Sequence, residues 1–528
     1  MAKSLSHWTS SISYLLSIIG FVIGLGNFWL FPTTCYANGG AVFLIPYSIF
    51  MLIFGIPLVY LELLLGQVLH RANLGIYEVL CPWLKGAAYS VIIMNFIRQT
   101  YYNTVIAWAL NLFFHSFSVQ LPWRNDTLIF TVGRNASANL DDIYFHQVIL
   151  GKTSSHSINH LGGLQTSLLP CLLLVFIVVY LIIRKGAISI GKSIYVTAIL
   201  PYVLLFILLV KSATLEGVGK GMRELFKSDF KPLLKMETWY KAATQICYSL
   251  GPGAGVLVAY ASFSDNTQMN IKLYAFIIVL CNAFTSIICG IILFCGLGYF
   301  ESQTSLSFSK FIDYGYTIIF VIYPMIITKF AYGFIFSIAF FSMIFMIGLN
   351  SVYAEIESMY AALCDRFKSL RDNEERNKLI ILVMCFLASL PTITHGGDAI
   401  VSFLLEYGVT PAVLIIIVAE TFSAAWYFGY DNLIERVEQY SDANTPGTIM
   451  KWCWKIVVPV VSIVLYITNY VGFNNDVQQS DLDRKIKLAG NIFSILILLP
   501  VPMYACFYFI RKLFARKKAK IDSLKFES

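Results

Sequence analysis

Residues 20–40 read GFVIGLGNFWLFPTTCYANGG. Five glycines, a proline and two asparagines interrupt this stretch, which carries no charged residue. It lies inside an apolar run, 4–61, long enough for two membrane spans at ~20 residues each. A helix that breaks at bilayer depth leaves backbone groups without partners, which is tolerated only where the gap lines a cavity or is buried in protein. Freed carbonyls can then hold a cation, and the N–H groups opening a half-helix can hold a carboxylate. The break falls at GLG, 24–26, and a second of the same kind lies at GPG, 251–253, each near the middle of its apolar run. A lone glycine in a membrane helix more often serves close packing. Paired breaks with asparagine and serine beside them favour a site, and two broken helices five spans apart point to an inverted repeat.

The rest of the chain agrees. Its 528 residues are 58% hydrophobic and 13% charged, with mean hydropathy +0.70, the profile of an integral membrane protein. Charge-free runs at 4–61 (two spans), 99–123, 166–183, 193–210, 242–264, 273–300, 330–354, 379–397, 456–475 and 488–510 mark spans. The third span begins near 87 and carries Arg98, and a tenth over about 399–428 carries Glu406 and Glu420. The sequence therefore predicts an all-α protein of twelve transmembrane helices, numbered 1 to 12 along the chain, with helices 1 and 6 broken and helices 1–5 and 6–10 as the two repeats.

An even count places both termini on one side. The tail supplies Arg511, Lys512, Arg516, Lys517, Lys518, Lys520 and Lys525, and the segment between helices 8 and 9 supplies Arg366, Lys368, Arg371, Arg376 and Lys378. The positive-inside rule makes that side cytoplasmic. The net charge of +8 then follows from topology and is no argument for a nucleic-acid partner; contact of the basic tail with membrane lipid is a secondary expectation. The expected organisation is a short cytoplasmic N-terminus (1–10), a transporter domain (11–512) and a basic cytoplasmic tail (513–528). The long outside loop, 119–165, holds glycosylation sequons at Asn125 and Asn135 and no cysteine. The eleven cysteines lie mostly within spans, so no disulfide framework is expected. The first apolar run is too long for the core of a cleavable signal peptide. Residues 314–329, apolar but short and containing Pro324, read as a loop helix dipping toward the outer mouth.

In order along the chain, GLGNFWLFP, NGGAVFLIPY, GIPLVYLELLLGQ, YYNTVIAWAL, QLPW, GKSIYVTAILPY, SLGPGAGVLVAYASF, GLNS and EYGVTPAVL resemble the neurotransmitter:sodium symporter family, whose fold is called LeuT-like. The resemblance covers nearly the whole chain. It implies a first sodium site at the Val22 carbonyl, Asn27, Ser249 and Asn282, completed by the substrate's carboxylate. It implies a second at the carbonyls of Gly20, Ile23 and Ile347 with the side chains of Asn350 and Ser351, although many animal members carry aspartate where this chain has Asn350. All are oxygen ligands suited to a hard cation. Tyr47, Gln245, Ser249, Asn282 and Ser286 imply a chloride site. The substrate region is implied at Gly24, Leu25, Gly26, Tyr102, Tyr248 and Gly251, with Tyr102 donating its hydroxyl and Tyr248 as an aromatic lid. Gly24 stands where monoamine carriers have the aspartate that pairs with the amine.

Several positions depart from the family pattern. Leu30 replaces the arginine of the outer gate, and Leu405 replaces its acidic partner on helix 10 if EYGVTPAVL sets the register; Glu406 is the alternative. At the inner gate Trp8 and Asp365 are in place, but Leu5 replaces the arginine, with Lys3 as a substitute. Arg98 lies one turn before Tyr102, and Glu355 one turn after Ser351, so each shares a helix face with a substrate residue. A charge at mid-span costs roughly 2.5 to 3.5 kcal/mol on insertion scales, so both are candidates for function. Either they pair with each other and shrink the cavity, or they read a polar substrate side chain. Glu62 and Glu420 match carboxylates common in the family and read as buried network residues.

His156 and His160, with His146 nearby, have metal-ligand spacing but make a weak zinc signal. No nucleophile with its base, phosphate loop or metal hydrolase motif is present, so an enzyme is not expected. The expectation is a plasma-membrane symporter driven by sodium, with chloride, that takes up a small amino acid or related zwitterion by alternating access. The alternatives are an amine carrier using Glu355 as the amine's counter-ion, a transport-silent amino-acid sensor, and an ion-leak protein of the same fold.

Overall fold

The computed structural model describes residues 7–125, 144–152, 158, 160–227, 229–264, 269–304, 318–441, 444–471 and 481–526. Among them, eight helices are long and apolar enough to cross a bilayer: Gly40–Leu69 (helix 2), Ala187–Ala213 (5), Ile271–Ser302 (7), Gly333–Arg366 (8), Lys368–Ile393 (9), Gly397–Tyr427 (10), Thr448–Asn469 (11) and Arg484–Ala515 (12). Helix 1 is a bent pair, 1a (Ser11–Val22) and 1b (Gly26–Ala37), whose halves meet at 50°. Gly86–His115 (helix 3), Leu168–Ile183 (helix 4) and the broken pair Met236–Leu250 (6a) and Val256–Ser262 (6b) complete the twelve. The all-helical multi-span architecture expected from sequence is therefore present, with both breaks where the glycines fall.

The two breaks have different causes. At helix 1 the chain leaves the helical region at Ile23 and resumes at Gly26. At helix 6, Gly251, Gly253 and Gly255 all have φ between 63° and 74°, a left-handed conformation that a side chain makes costly. A Cβ on Gly251 would also lie 2.8 Å from the Phe21 ring. Three left-handed residues in five end 6a, and 6b starts as a new helix.

Helix 10 carries a break that the sequence reading did not anticipate. Its first part ends at Tyr407 and the second begins at Thr410, followed by Pro411. The carbonyls freed there find hydroxyl donors: Tyr248 Oη donates to Leu405 O at 3.1 Å, and Ser494 Oγ of helix 12 donates to Tyr407 O at 2.6 Å.

Helices 3 and 8 pack along their lengths, helix 8 also packs on helices 1a and 5, and 6b packs on helix 2. Glycines permit the closest approaches: a Cβ on Gly66 would collide with the Val258 carbonyl of 6b, and one on Gly86 with the Pro500 carbonyl of helix 12. On the cytoplasm-predicted side, fully buried Lys378 ties three helices: its Nζ lies 2.6 Å from Glu357 and 2.7 Å from Glu374, and donates to Ile183 O at 3.0 Å. The outer faces of helices 4, 5, 9, 11 and 12 expose large apolar side chains such as Ile177, Phe206, Val383, Ile467 and Leu496. Such a surface suits lipid and would be unfavourable in water. The short buried helix Ile322–Ile327 lies within the segment predicted to dip as a loop. The helix that ends the chain continues from Pro500 to Phe526, through most of the predicted tail.

Candidate functional site

A cavity opens where the breaks of helices 1 and 6 face helices 3, 8 and 10. Gly24, Leu25, Gly26, Tyr102, Tyr248, Gly251, Arg98 and Glu355 all line it. The break of helix 1 is braced from within and across: Asn27 Oδ1 accepts the Gly24 N–H at 3.1 Å, and Tyr102 Oη accepts the Leu25 N–H at 3.4 Å. The break of helix 6 is braced from helix 2, where buried Glu62 accepts the Gly253 N–H at 2.5 Å. The second Glu62 oxygen and Glu420 Oε1 are buried without a hydrogen-bond partner.

Arg98 and Glu355 form an ion pair across the cavity at 2.5 Å, with their side chains 15% and 2% exposed. Gln99 Nε2 donates to the other carboxylate oxygen at 2.8 Å, and Gln99 is held by Asn103, whose Nδ2 donates to it at 3.1 Å. The sequence reading missed Gln99; its signal was its place beside Arg98, one turn before another buried amide. Glu355 is the one carboxylate among the residues lining this cavity, and both of its oxygens are occupied by protein donors.

The Tyr248 ring covers the cavity with its hydroxyl on helix 10. Leu405 lines the cavity while Glu406, the alternative for the same role, is exposed. Leu30 lies farther out, in a depression shared with Thr33, Asn38, Lys235, Thr238 and Lys241.

Beside the cavity, Asn27, Ser249, Asn282 and Ser286 form a tight polar cluster. Asn27 Nδ2 lies 2.8 Å from Asn282 Oδ1 and from Ser286 Oγ, and Ser249 Oγ donates to Asn282 Oδ1 at 2.8 Å. Val22 is buried at the end of 1a. Within and behind this cluster, Tyr47 Oη, Gln245 Nε2 and Asn282 Nδ2 are buried with no hydrogen-bond partner. An unmet buried donor costs about 1–3 kcal/mol. Two amide N–H groups and a phenol hydroxyl are donors of the kind that an anion takes, while the Gln245 carbonyl oxygen is unmet beside them.

Gly20, Ile23, Ile347 and Asn350 line a second, smaller cavity between helices 1, 5 and 8. Asn350 Nδ2 donates to Thr197 O at 2.9 Å, the Tyr353 hydroxyl donates to Asn350 Oδ1 at 2.8 Å, and Ser351 Oγ donates to Phe21 O at 3.5 Å.

At the opposite end, Trp8 docks on 6b. Its indole N–H donates to Tyr260 O at 2.8 Å, and its ring meets the Tyr260 edge at 5.1 Å. Asp365 accepts the Gly75 N–H at 3.1 Å and lies 3.8 Å from Arg371. Lys3 and Leu5 lie outside the described residues, as do Asn135 and His156, and Asn125 ends a short 3₁₀ turn, Pro122–Asn125. His146 sits on a π-helical turn, Phe145–Ile149, and His160 follows it in the loop. Among the described residues no group of three or more His, Cys, Asp or Glu is placed to hold a metal ion.

Known proteins resemble this chain in sequence along most of its length. The sodium-dependent serotonin transporter of Drosophila melanogaster is 33% identical over 519 residues, covering 95% of this chain and 82% of the relative. The sodium-dependent dopamine transporter of Bos taurus is 32% identical over 487 residues, 89% and 70% of the two chains. That of Caenorhabditis elegans is 30% identical over 538 residues, 96% and 87%. The family model for the sodium:neurotransmitter symporter family matches residues 5–513, a span that takes in both broken helices and every wall of the central cavity. The chain belongs to the sodium:neurotransmitter symporter family.

Proposed function

We propose that this protein is a plasma-membrane symporter, with both termini cytoplasmic, that uses sodium and chloride to take up a small amino acid or related zwitterion. The observation that carries the substrate class is the occupied state of Glu355. An amine without its own acid needs a carboxylate in the cavity; position 24 is glycine, and Glu355 is held by Arg98 and Gln99. A substrate with a carboxylate brings its own anion. The Gly26 N–H that opens 1b and the Tyr102 hydroxyl, which accepts from Leu25 N–H and keeps its own proton to donate, would receive it, beside the Asn27 cluster where sodium would complete the contact. Alternating access would use the breaks of helices 1 and 6, with 1a, 1b, 6a and 6b tilting about them against the packed pair of helices 3 and 8. Chloride is supported by the three unmet donors at Tyr47, Gln245 and Asn282.

The second reading is an amine carrier, favoured by the serotonin and dopamine specificities named for the relatives. It requires the Arg98–Glu355 pair to open so that Glu355 can meet the amine. Uptake of a radiolabelled panel of amino acids, amines and GABA, with sodium and chloride each replaced in turn, separates the readings. Concentrative amino-acid uptake that vanishes without sodium and falls without chloride supports the first. Amine uptake abolished by Glu355→Gly supports the second. Sodium-dependent binding without uptake indicates a sensor, and current without substrate a leak, the outcomes that the leucines at 5, 30 and 405 keep open.

A further inference from the structure

Arg98 and Glu355 are unequal partners. Glu355 is 2% exposed and both of its oxygens are met, one by Arg98 and one by Gln99. Arg98 is 15% exposed and uses one guanidinium nitrogen on that pair; its other N–H groups have no protein acceptor among the described residues, and none of them is closed off from the cavity that Arg98 lines. The carboxylate is therefore the hidden half of the pair, and the guanidinium edge is the half that a bound molecule meets. Its place along the helices suits that role. Tyr102 and Ser351 stand at the break of helix 1, where a Cβ on Gly24 would lie 3.6 Å and 3.7 Å from their hydroxyls. Arg98 and Glu355 each lie one turn nearer the side predicted to be cytoplasmic, a rise of about 6 Å. A molecule with its carboxylate at the break thus brings its far end to the level of Arg98. Tyr101, on the same side of helix 3 as Arg98, lines the cavity as well, with a hydroxyl able to accept or donate.

Charge decides what that edge can take. The pair is neutral as a whole. A second carboxylate on the substrate would share one guanidinium with Glu355 and set two negative charges side by side. An apolar side chain would cover the N–H groups, strip their water and offer no acceptor, which is how a polar site rejects an isostere that lacks the polar group. A neutral oxygen, amide or hydroxyl, meets the N–H groups and adds no charge. We propose that Arg98 is a specificity-determining residue whose unengaged N–H groups bind an acceptor oxygen on the substrate's side chain, and that the substrate is a small neutral amino acid with an amide or hydroxyl side chain. This deepens the amino-acid reading and rests on it: the α-carboxylate sits at the break of helix 1 and the side-chain oxygen one helical turn away, at Arg98.

The test is equilibrium binding of radiolabelled asparagine, leucine and aspartate to the purified full-length protein in sodium chloride, since these three differ chiefly in the atoms that end the side chain. Asparagine is expected to half-saturate at a concentration roughly tenfold or more below either of the others. In Arg98→Ile with Glu355→Gly, which removes both charges together and is checked for folding by gel filtration, leucine should match or exceed asparagine. A pair that served only structure would weaken all three alike, so an unchanged ratio in the folded variant would overturn the proposal. Leucine or aspartate binding to the unaltered protein as tightly as asparagine would also overturn it while leaving amino-acid symport standing, and that comparison decides even if the variant fails to fold. No sodium-dependent binding of any of the three would overturn the amino-acid reading itself, and the proposal with it.

Discussion

Arg98 and Glu355 show how strongly a single residue can depend on another inside the membrane. Each would be expensive alone, and together they are nearly self-contained, with Gln99 meeting the oxygen that arginine leaves. Removing one partner strands the other. Arg98→Ile should therefore lose roughly 3–5 kcal/mol of stability, and Arg98→Ile with Glu355→Gly should recover most of it. Thermal unfolding of the two variants in detergent checks this; equal losses would mean that the charges act independently. Position 24 offers the complementary experiment. A Cβ there would meet Tyr102 Oη at 3.6 Å and Ser351 Oγ at 3.7 Å, ordinary contact distances, on the wall of the cavity. Gly24→Asp should raise uptake of a primary aromatic amine and weaken an amino-acid substrate at least tenfold, about 1.4 kcal/mol, because two carboxylates would then face each other. Competition uptake measures both. At this scale the sequence located Arg98 and Glu355 on the faces of their helices but left open whether they pair. Spacing along two helices does not say how far apart the side chains lie, and that distance depends on how helices 3 and 8 pack.

Among the elements, the breaks in helices 1 and 6 were readable because their glycines sit in the middle of apolar runs with no competing explanation at that density. Gly251, Gly253 and Gly255 adopt the left-handed backbone that only glycine takes without strain. The break in helix 10 was not readable in the same way. Gly408 and Pro411 are equally present, but proline in the first turn of a helix is compatible with continuation, and only the freed carbonyls, capped by Tyr248 and Ser494, reveal the gap. Nor could the amide orientation of Asn350 be read, since it depends on carbonyl Thr197 from another helix. Lys378 is the element-scale joint whose removal should be felt most. Lys378→Met leaves Glu357 buried without its cation, with an expected loss of about 3–5 kcal/mol. Adding Glu357→Leu should restore most of the lost melting temperature, and failure to do so would assign the damage to repacking.

For the whole molecule, charge balance across a low-dielectric interior sets what can be bound together. A sodium at Asn27 and an anion near Tyr47, Gln245 and Asn282 would lie close, each lowering the other's desolvation cost. Ser286→Glu would place a fixed negative charge beside the same cluster, since Ser286 already lies 2.8 Å from Asn27 Nδ2. Uptake in that variant should proceed when chloride is replaced by gluconate, whereas uptake by the unaltered protein should fall several-fold. The twelve-helix plan was the most legible level of all, because it needs only long apolar runs. Helices 3 and 10 took a further step, since each carries charge within its span, Arg98 in one and Glu406 and Glu420 in the other.

Over the central cavity the Tyr248 hydroxyl rests on the Leu405 backbone carbonyl, a contact between uncharged groups. Moving an elementary charge through 100 mV of membrane potential takes roughly 2.3 kcal/mol. A latch with no formal charge moves none. Its opening rate should be insensitive to voltage, which leaves the carried ions and the charged groups of the cavity to supply any voltage dependence of transport current.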